Sequence, residues 1–171
     1  MTSSALEEIE RGARVFIDSS IFVYHFTGVS SSCRAFLERC ERAEHTGTTS
    51  VTVLAEVAHR LMMIEAVQRR LVTPGNVAQK LRKRPDAIRK LHLYSEQVGR
   101  IPLMGIEVLA LQLDVMLHAG ELRARHGLMV NDSIITATAA ASGIDAIASG
   151  DADFERVGGL TLHRPTDLTP T

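Results

Sequence analysis

Short apolar runs that end on a carboxylate or hydroxyl, and alternate with stretches of helical periodicity, constrain this chain more than any other feature. "RVFID" (14–18) is one such run, closed by Asp18-Ser19-Ser20, the pattern of a buried strand entering a turn. Over 31–47, Cys33, Phe36, Leu37 and Cys40 recur at helical spacing, with Gly47 read as the stop. Residues 48–71 open with β-branched residues and continue with Val53, Val57, Leu61 and Ile64 at intervals of three or four. That reads as a strand of two or three residues and then a helix. Pro74-Gly75 breaks this helix, and two further helices divided near Pro85 are predicted before Gly99. A short extended piece from Arg100 becomes a helix ending at Gly127, and "NDSIITATAAASG" is a helix opened by Asn131 or Asp132 and stopped by Gly143. "DAIAS" and "LTLHR" are the last strand candidates. Strands alternating with helices predict an α/β domain with a central, mainly parallel sheet.

The 171 residues suit a single domain, and a chain of this size buries roughly 70% of its unfolded surface. With 4% aromatics and no Trp, the interior has to be built from Leu, Val, Ile, Ala and Met. A net charge of −1 means that any polyanion must be held by a local basic patch. Cys33 and Cys40 lack a CxxC or Cys/His companion set and read as reduced, structural thiols. No signal peptide and no membrane span are expected, so a soluble cytoplasmic protein is predicted. Pro165 to Thr171 reads as a loose tail.

Four acids stand where segments leave strands or open helices: Asp18, Glu56, Asp132 and Asp151, with Asp153 two residues beyond the last. In an open α/β sheet, segments leaving the carboxyl ends of strands converge on one crevice. Two carboxylates about 4 Å apart repel by roughly 4 kcal/mol at an effective dielectric near 20, so several together take up protons or bind a cation. Oxygen ligands without patterned Cys or His favour Mg²⁺ or Mn²⁺. Singly, Asp132 reads equally as a helix cap, Asp18 as a turn residue, Glu56 as a helix charge, and Asp151 with Asp153 as a "GDAD" turn. The seven histidines show no HxxxH or HExxH spacing, so no zinc site is predicted. Leu109, Leu113, Met116 and Leu117 form a helical stripe that is either core or dimer seam. Lys80, Arg82, Lys83, Arg84, Arg89 and Lys90 form a basic segment that is either a substrate contact or a solvated face.

The stretches "VFIDSSIFVY", "TSVTVLAEVAHRL", "VNDSIITATAAASGI" and "AIASGDADFERVGGLTLHRP" together resemble the PIN-domain family, and within it the VapC-like toxin ribonucleases. The resemblance covers about residues 14–165 and implies a PIN-like three-layer α/β/α fold with a helical insertion at about 66–98. It also implies that Asp18, Glu56, Asp132 and Asp151 bind Mg²⁺ or Mn²⁺ and carry catalysis, with Asp153 matching the family's frequent second aspartate. Ser149 stands where members usually have Thr, and Gly150 where the residue is commonly larger. The implied activity is hydrolysis of RNA phosphodiester bonds, with a homodimer and a cognate antitoxin as partners. A catalytically silent PIN-like module that binds RNA or a partner is the alternative. A phosphoaspartyl domain is disfavoured, because "DSSIF" lacks the second acid of a DxD motif.

Overall fold

The computed structural model describes residues 3–168 and contains one six-stranded sheet in which every pairing is parallel. The strands are β1 (Ser4–Ala5), β2 (Arg14–Ile17), β3 (Thr46–Ser50), β4 (Glu107–Leu109), β5 (Ala146–Ala148) and β6 (Thr161–Arg164). Their order is β1-β6-β5-β2-β3-β4. The chain moves outward from β2 to β3 and β4, then returns across the sheet to β5 and moves out the other way to β6. Neighbouring β2 and β5 therefore flank the switch point, where an open α/β sheet leaves a crevice at its carboxyl edge.

The helices among the described residues are α1 (Ser19–Thr27), α2 (Ser31–Glu41), α3 (Val51–Gln68), α4 (Val77–Arg82), α5 (Pro85–Ile88), α6 (Leu93–Arg100), α7 (Leu113–His126) and α8 (Val130–Ala141). The right-handedness of parallel crossovers places α1 to α3 on one face of the sheet and the α7–α8 pair, which follows the reversal, on the other. Val15, Phe16, Ile17 and Ile147 at the sheet centre are fully buried, and Ile21, Phe36, Val57, Ile135 and Ala139 pack over them from the helices. Such burial contributes about 2 kcal/mol for each large aliphatic side chain. The segment around α4 and α5 has its own smaller cluster, Ala66, Leu81, Ala87 and Leu91.

Several expectations are corrected. Gly47 does not stop α2, which ends at Glu41; it lies inside β3. A Cβ there would stand 3.0 Å from Ile17 Cδ1, 3.2 Å from Cys40 Sγ and 3.3 Å from Ile106 Cγ1, so this glycine lets helix, strand and loop close together. β3 runs five residues rather than two or three, its "TGTTS" hiding a buried strand behind polar letters. The segment before Gly99 holds three helices, not two, because Pro85 opens a short one of its own. Strand β1, too short to show a period, adds an edge beside β6. The expected stripe divides: Leu109 belongs to β4 and packs against the core, whereas Leu113 and Leu117 on α7 are 74% and 68% exposed and are not core.

The segment after Pro165 is not loose over its described part, 165–168; Thr169 to Thr171 lie outside the described residues. Asp167 Oδ1 accepts from Ser30 Oγ at 2.6 Å, and Oδ2 accepts from the Ser31 amide at 2.7 Å, Ser31 Oγ at 2.9 Å and the Ser32 amide at 3.1 Å. The carboxylate thereby closes the N-terminus of α2, where orphan amides and the helix dipole favour an anion. No helix among the described residues is long and apolar enough to cross a membrane. Cys33 and Cys40 are free and buried, and burial pushes their thiols up to about 11 and about 12, which keeps them unreactive.

Candidate active site

Asp18 follows β2 and is almost fully buried. Its Oδ2 accepts from Ser149 Oγ at 2.7 Å and from Ser20 Oγ at 2.6 Å, with the Ser20 amide at 3.3 Å, so it also caps α1. The three donors all converge on Oδ2, and no hydrogen bond among the described residues uses Oδ1. Ser149, at the end of β5, thus ties the two strands of the switch point together through this carboxylate. A serine suffices where the family usually has threonine, because only the hydroxyl is used.

Glu56 enters from the second turn of α3, the helix that leaves β3. Ser19 Oγ donates to its Oε1 at 2.8 Å, Asn131 Nδ2 donates to its Oε2 at 3.0 Å, and Arg60 Nη1 stands 3.8 Å from Oε1. Three segments therefore fix one carboxylate, while Arg60 Nη1 donates to Ser19 Oγ at 3.3 Å. Sequence reasoning missed Arg60 and Asn131. The Arg60 signal was present, because an i,i+4 pair on a helix shares a face.

Asp132 is the third residue of α8, whose N-cap is Met129 without a side-chain cap. Asp132 thus does not open the helix, and the capping reading fails for it. Because α8 runs back toward β5, its N-terminus lies at the carboxyl edge of the sheet. Asp151 follows β5 and accepts from the Asp153 amide at 2.8 Å, so the turn reading of "GDAD" holds alongside its place in the cleft. Asp153 pairs with Arg156 at 2.8 Å. A Cβ on Gly150 would stand 2.9 Å from Tyr24 Cε2. A larger residue here requires the Tyr24 ring to move aside.

The cleft so formed has a volume of about 290 Å³ and is lined by Asp18, Glu56, Asp132 and Asp151, with Arg60 as the one cation among the described residues lining it. One carboxylate oxygen from each of Asp132, Asp151 and Asp153 lies within 4.8 Å of the others. Oxygens on opposite sides of a hard ion bonded at about 2.1 Å stand roughly 4.2 Å apart, so that spacing needs little closure. Partial burial, followed by the charges of Asp151, Asp18, Asp153 and Glu56, pushes the Asp132 carboxyl up to about 6. This is the electrostatic mark of a site short of positive charge. No histidine or cysteine among the described residues lines it, and an all-oxygen donor set fits a hard divalent cation. Asp18 and Glu56 line the cleft without belonging to the tight trio.

The comparisons with known proteins agree with this geometry. The PIN domain family matches residues 15–160. The chain is 27% identical over 150 residues to Ribonuclease VapC2 of Methanocaldococcus jannaschii, covering 87% of this chain and 92% of that protein. Its fold resembles VapBC2 of Rickettsia felis bound to a promoter DNA fragment, with a TM-score of 0.57 at 20% identity over 89% of this chain and 98% of that one. It also resembles Mycobacterium tuberculosis VapC20, a Sarcin-Ricin loop cleaving toxin, with a TM-score of 0.57 at 18% identity over 91% and 99% of the two chains. A toxin–antitoxin complex from Klebsiella pneumoniae gives a TM-score of 0.54 at 19% identity over 86% and 95%. With the family match spanning most of its length and the acids gathered at the switch point of a parallel sheet, the chain belongs to the PIN domain family.

Proposed function

We propose that this protein is a metal-dependent endoribonuclease that hydrolyses RNA phosphodiester bonds, acting in the cytoplasm as the toxin of a type II toxin–antitoxin pair. The supporting observation is the gathering of Asp18, Glu56, Asp132 and Asp151 in one cleft at the switch point, where burial first and then the neighbouring negative charges push the Asp132 carboxyl up to about 6. The likeness to a VapC ribonuclease supports the same activity. Mg²⁺ or Mn²⁺ would be held by Asp18, Glu56, Asp132 and Asp151, with Asp153 beside them. When bound, the ion supplies an acidified water and neutralises charge on the phosphate.

The rest falls to the chain itself. Ser20 and Ser149 hold Asp18 in one rotamer, leaving its second oxygen toward the cleft. Ser19 and Asn131 hold Glu56, whose carboxylate orients the attacking water and accepts its proton. Arg60, at the rim, meets a phosphate oxygen of the entering strand. Preorganisation of this kind removes reorganisation from the reaction step.

The partners of this reading are RNA, a cognate antitoxin and a second copy of the chain. Leu113, Met116 and Leu117 on α7 are exposed and form the seam of the homodimer; Leu117→Asp should turn the dimer into a monomer by light scattering. Cleavage of RNA in Mg²⁺, its loss in EDTA and its recovery with Mn²⁺ test the activity. Tight RNA binding without any cleavage would instead identify the silent module.

A further inference from the structure

Three depressions lie end to end along one face of α3. The acidic cleft reaches Arg60; an apolar depression runs from Arg60 past Met63, Ile64 and Val67 to Gly75 and Asn76. A third begins at Val67 and is rimmed by Arg70, Lys80, Lys83 and Arg84, with a volume of about 680 Å³. Positions 56, 60, 63 and 67 follow one another at intervals of three and four, the spacing of one helix face, and Arg70 lies just beyond the end of that helix. The axis of α3 rises about 12 Å between Arg60 and Gln68, the last residue of the helix, a span that a few extended nucleotides cover.

Charge changes in order along this groove, from acidic through apolar to basic. The fold uses Lys80 and Arg84 at the basic end but leaves Arg70 and Lys83. Among the described residues, the ion pairs of this region are Arg69–Glu65 and Arg84–Asp86, which leave Arg70, Lys80 and Lys83 without a carboxylate. Lys80 is instead fixed by the carbonyl oxygens of Thr73 and Pro74, at 3.1 and 2.9 Å, and by Thr73 Oγ1 at 2.9 Å. Arg70 has φ 56 immediately after the C-cap of α3, a left-handed position that glycine fills at lower cost.

We propose that this groove is the track of single-stranded RNA. Phosphates lie on Arg70 and Lys83, bases cover Met63, Ile64 and Val67, and the strand ends with its scissile phosphate at the acidic cleft. This rests on the nuclease reading and adds a remote binding site to it. A polyanion satisfies both ends, being drawn to the basic pocket directly and to the acidic cleft through the bound cation. A basic peptide is repelled at the pocket, and the test below separates RNA from an acidic peptide drawn to the same two positions.

The test is the Arg70→Gly/Lys83→Gln double variant, in which glycine suits the left-handed backbone and Lys83 is exposed, so the fold is kept. Binding of a fluorescent pool of random-sequence single-stranded RNA is followed in Ca²⁺ across a salt series, beside the dinucleotide UpU. The track predicts about a tenfold weaker affinity for the pool and a log–log salt slope shallower by roughly 1.4, the change expected when two phosphates are no longer neutralised. Binding of UpU, too short to reach the pocket, should not change. An unchanged slope for the pool, an equal loss on UpU, or lost antitoxin binding with RNA binding intact each overturns the track. The nuclease reading is checked separately by Mg²⁺-dependent cleavage of the same pool by the wild-type protein, whose absence overturns both.

Discussion

Two carboxylate sites in this molecule are built on opposite principles. At the C-terminal end, Asp167 is met by donors from Ser30, Ser31 and Ser32. Desolvation pulls its carboxyl upward, yet those hydrogen bonds outweigh it and hold the group down at about 2. At the switch point, Asp132 faces four other carboxylates, and burial and their charge raise it to about 6. One site satisfies its charge within the fold and serves only to join two segments. The other leaves charge unbalanced, a stability cost that has a purpose only if an ion arrives. Glu65 belongs with the first kind: burial opposes its ionisation, but the amides of Tyr94 and His92, at 3.0 and 3.1 Å, and Arg69 hold its carboxyl below the usual range.

The contrast predicts that variants of the two kinds of site separate activity from stability. The largest effect belongs to Asp18→Asn, which should lower RNA cleavage by about a thousandfold, several kcal/mol of lost charge stabilisation, while circular dichroism and melting stay near wild type. Cleavage at the wild-type rate in that variant removes Asp18 from the chemistry. Glu65→Ala should do the reverse. Freeing the Tyr94 and His92 amides and the Arg69 guanidinium costs about 3 kcal/mol in urea unfolding, with the rate per folded molecule unchanged.

Metal sharpens the comparison further. Saturating Mg²⁺, at about a hundredfold over its dissociation constant, should stabilise the wild type by roughly 2.7 kcal/mol, seen as a rise in Tm. Asp132→Asn should melt higher than wild type in EDTA and lose most of that rise; a lower melting temperature in EDTA would mean that repulsion does not dominate the cleft.

The smallest effect is the pH dependence, and its sign differs between the sites. Asp132 has a raised folded value, so in metal-free protein stability should fall as pH rises from about 4, its unfolded value, through about 6. Asp167 has a lowered one, so its contribution is full above about 4 and is lost as pH falls through about 2. Chemical denaturation across that range, repeated with Asp132→Asn and Asp167→Asn, should remove one slope at a time. Slopes that survive both substitutions assign the effect to other groups.

Much of the site was legible before any fold was known, because its acids stand beside recognisable strand ends: "RVFID" announces Asp18, and "AIASGDAD" announces Asp151 and Asp153. Other parts were hidden for physical reasons. β3 reads as polar because Thr48 and Thr49 are buried in it, and Gly47 reads as a helix stop although it serves close packing. Asn131 and Ser19 look like cap and turn residues until the helices bring both onto Glu56. The "loose" end became a clasp because Asp167 meets residues more than a hundred positions away.

Periodicity and turn chemistry are local, so the sequence by itself determined that strands and helices alternate, where most of them end, and which acids stand at those ends. Which acids share a cleft is a distance between distant segments. That was decided only when the return from β4 to β5 set β5 beside β2 and brought α8 to the carboxyl edge. The same holds for the groove along α3, whose basic end exists because α4 and α5 fold back on a helix they follow.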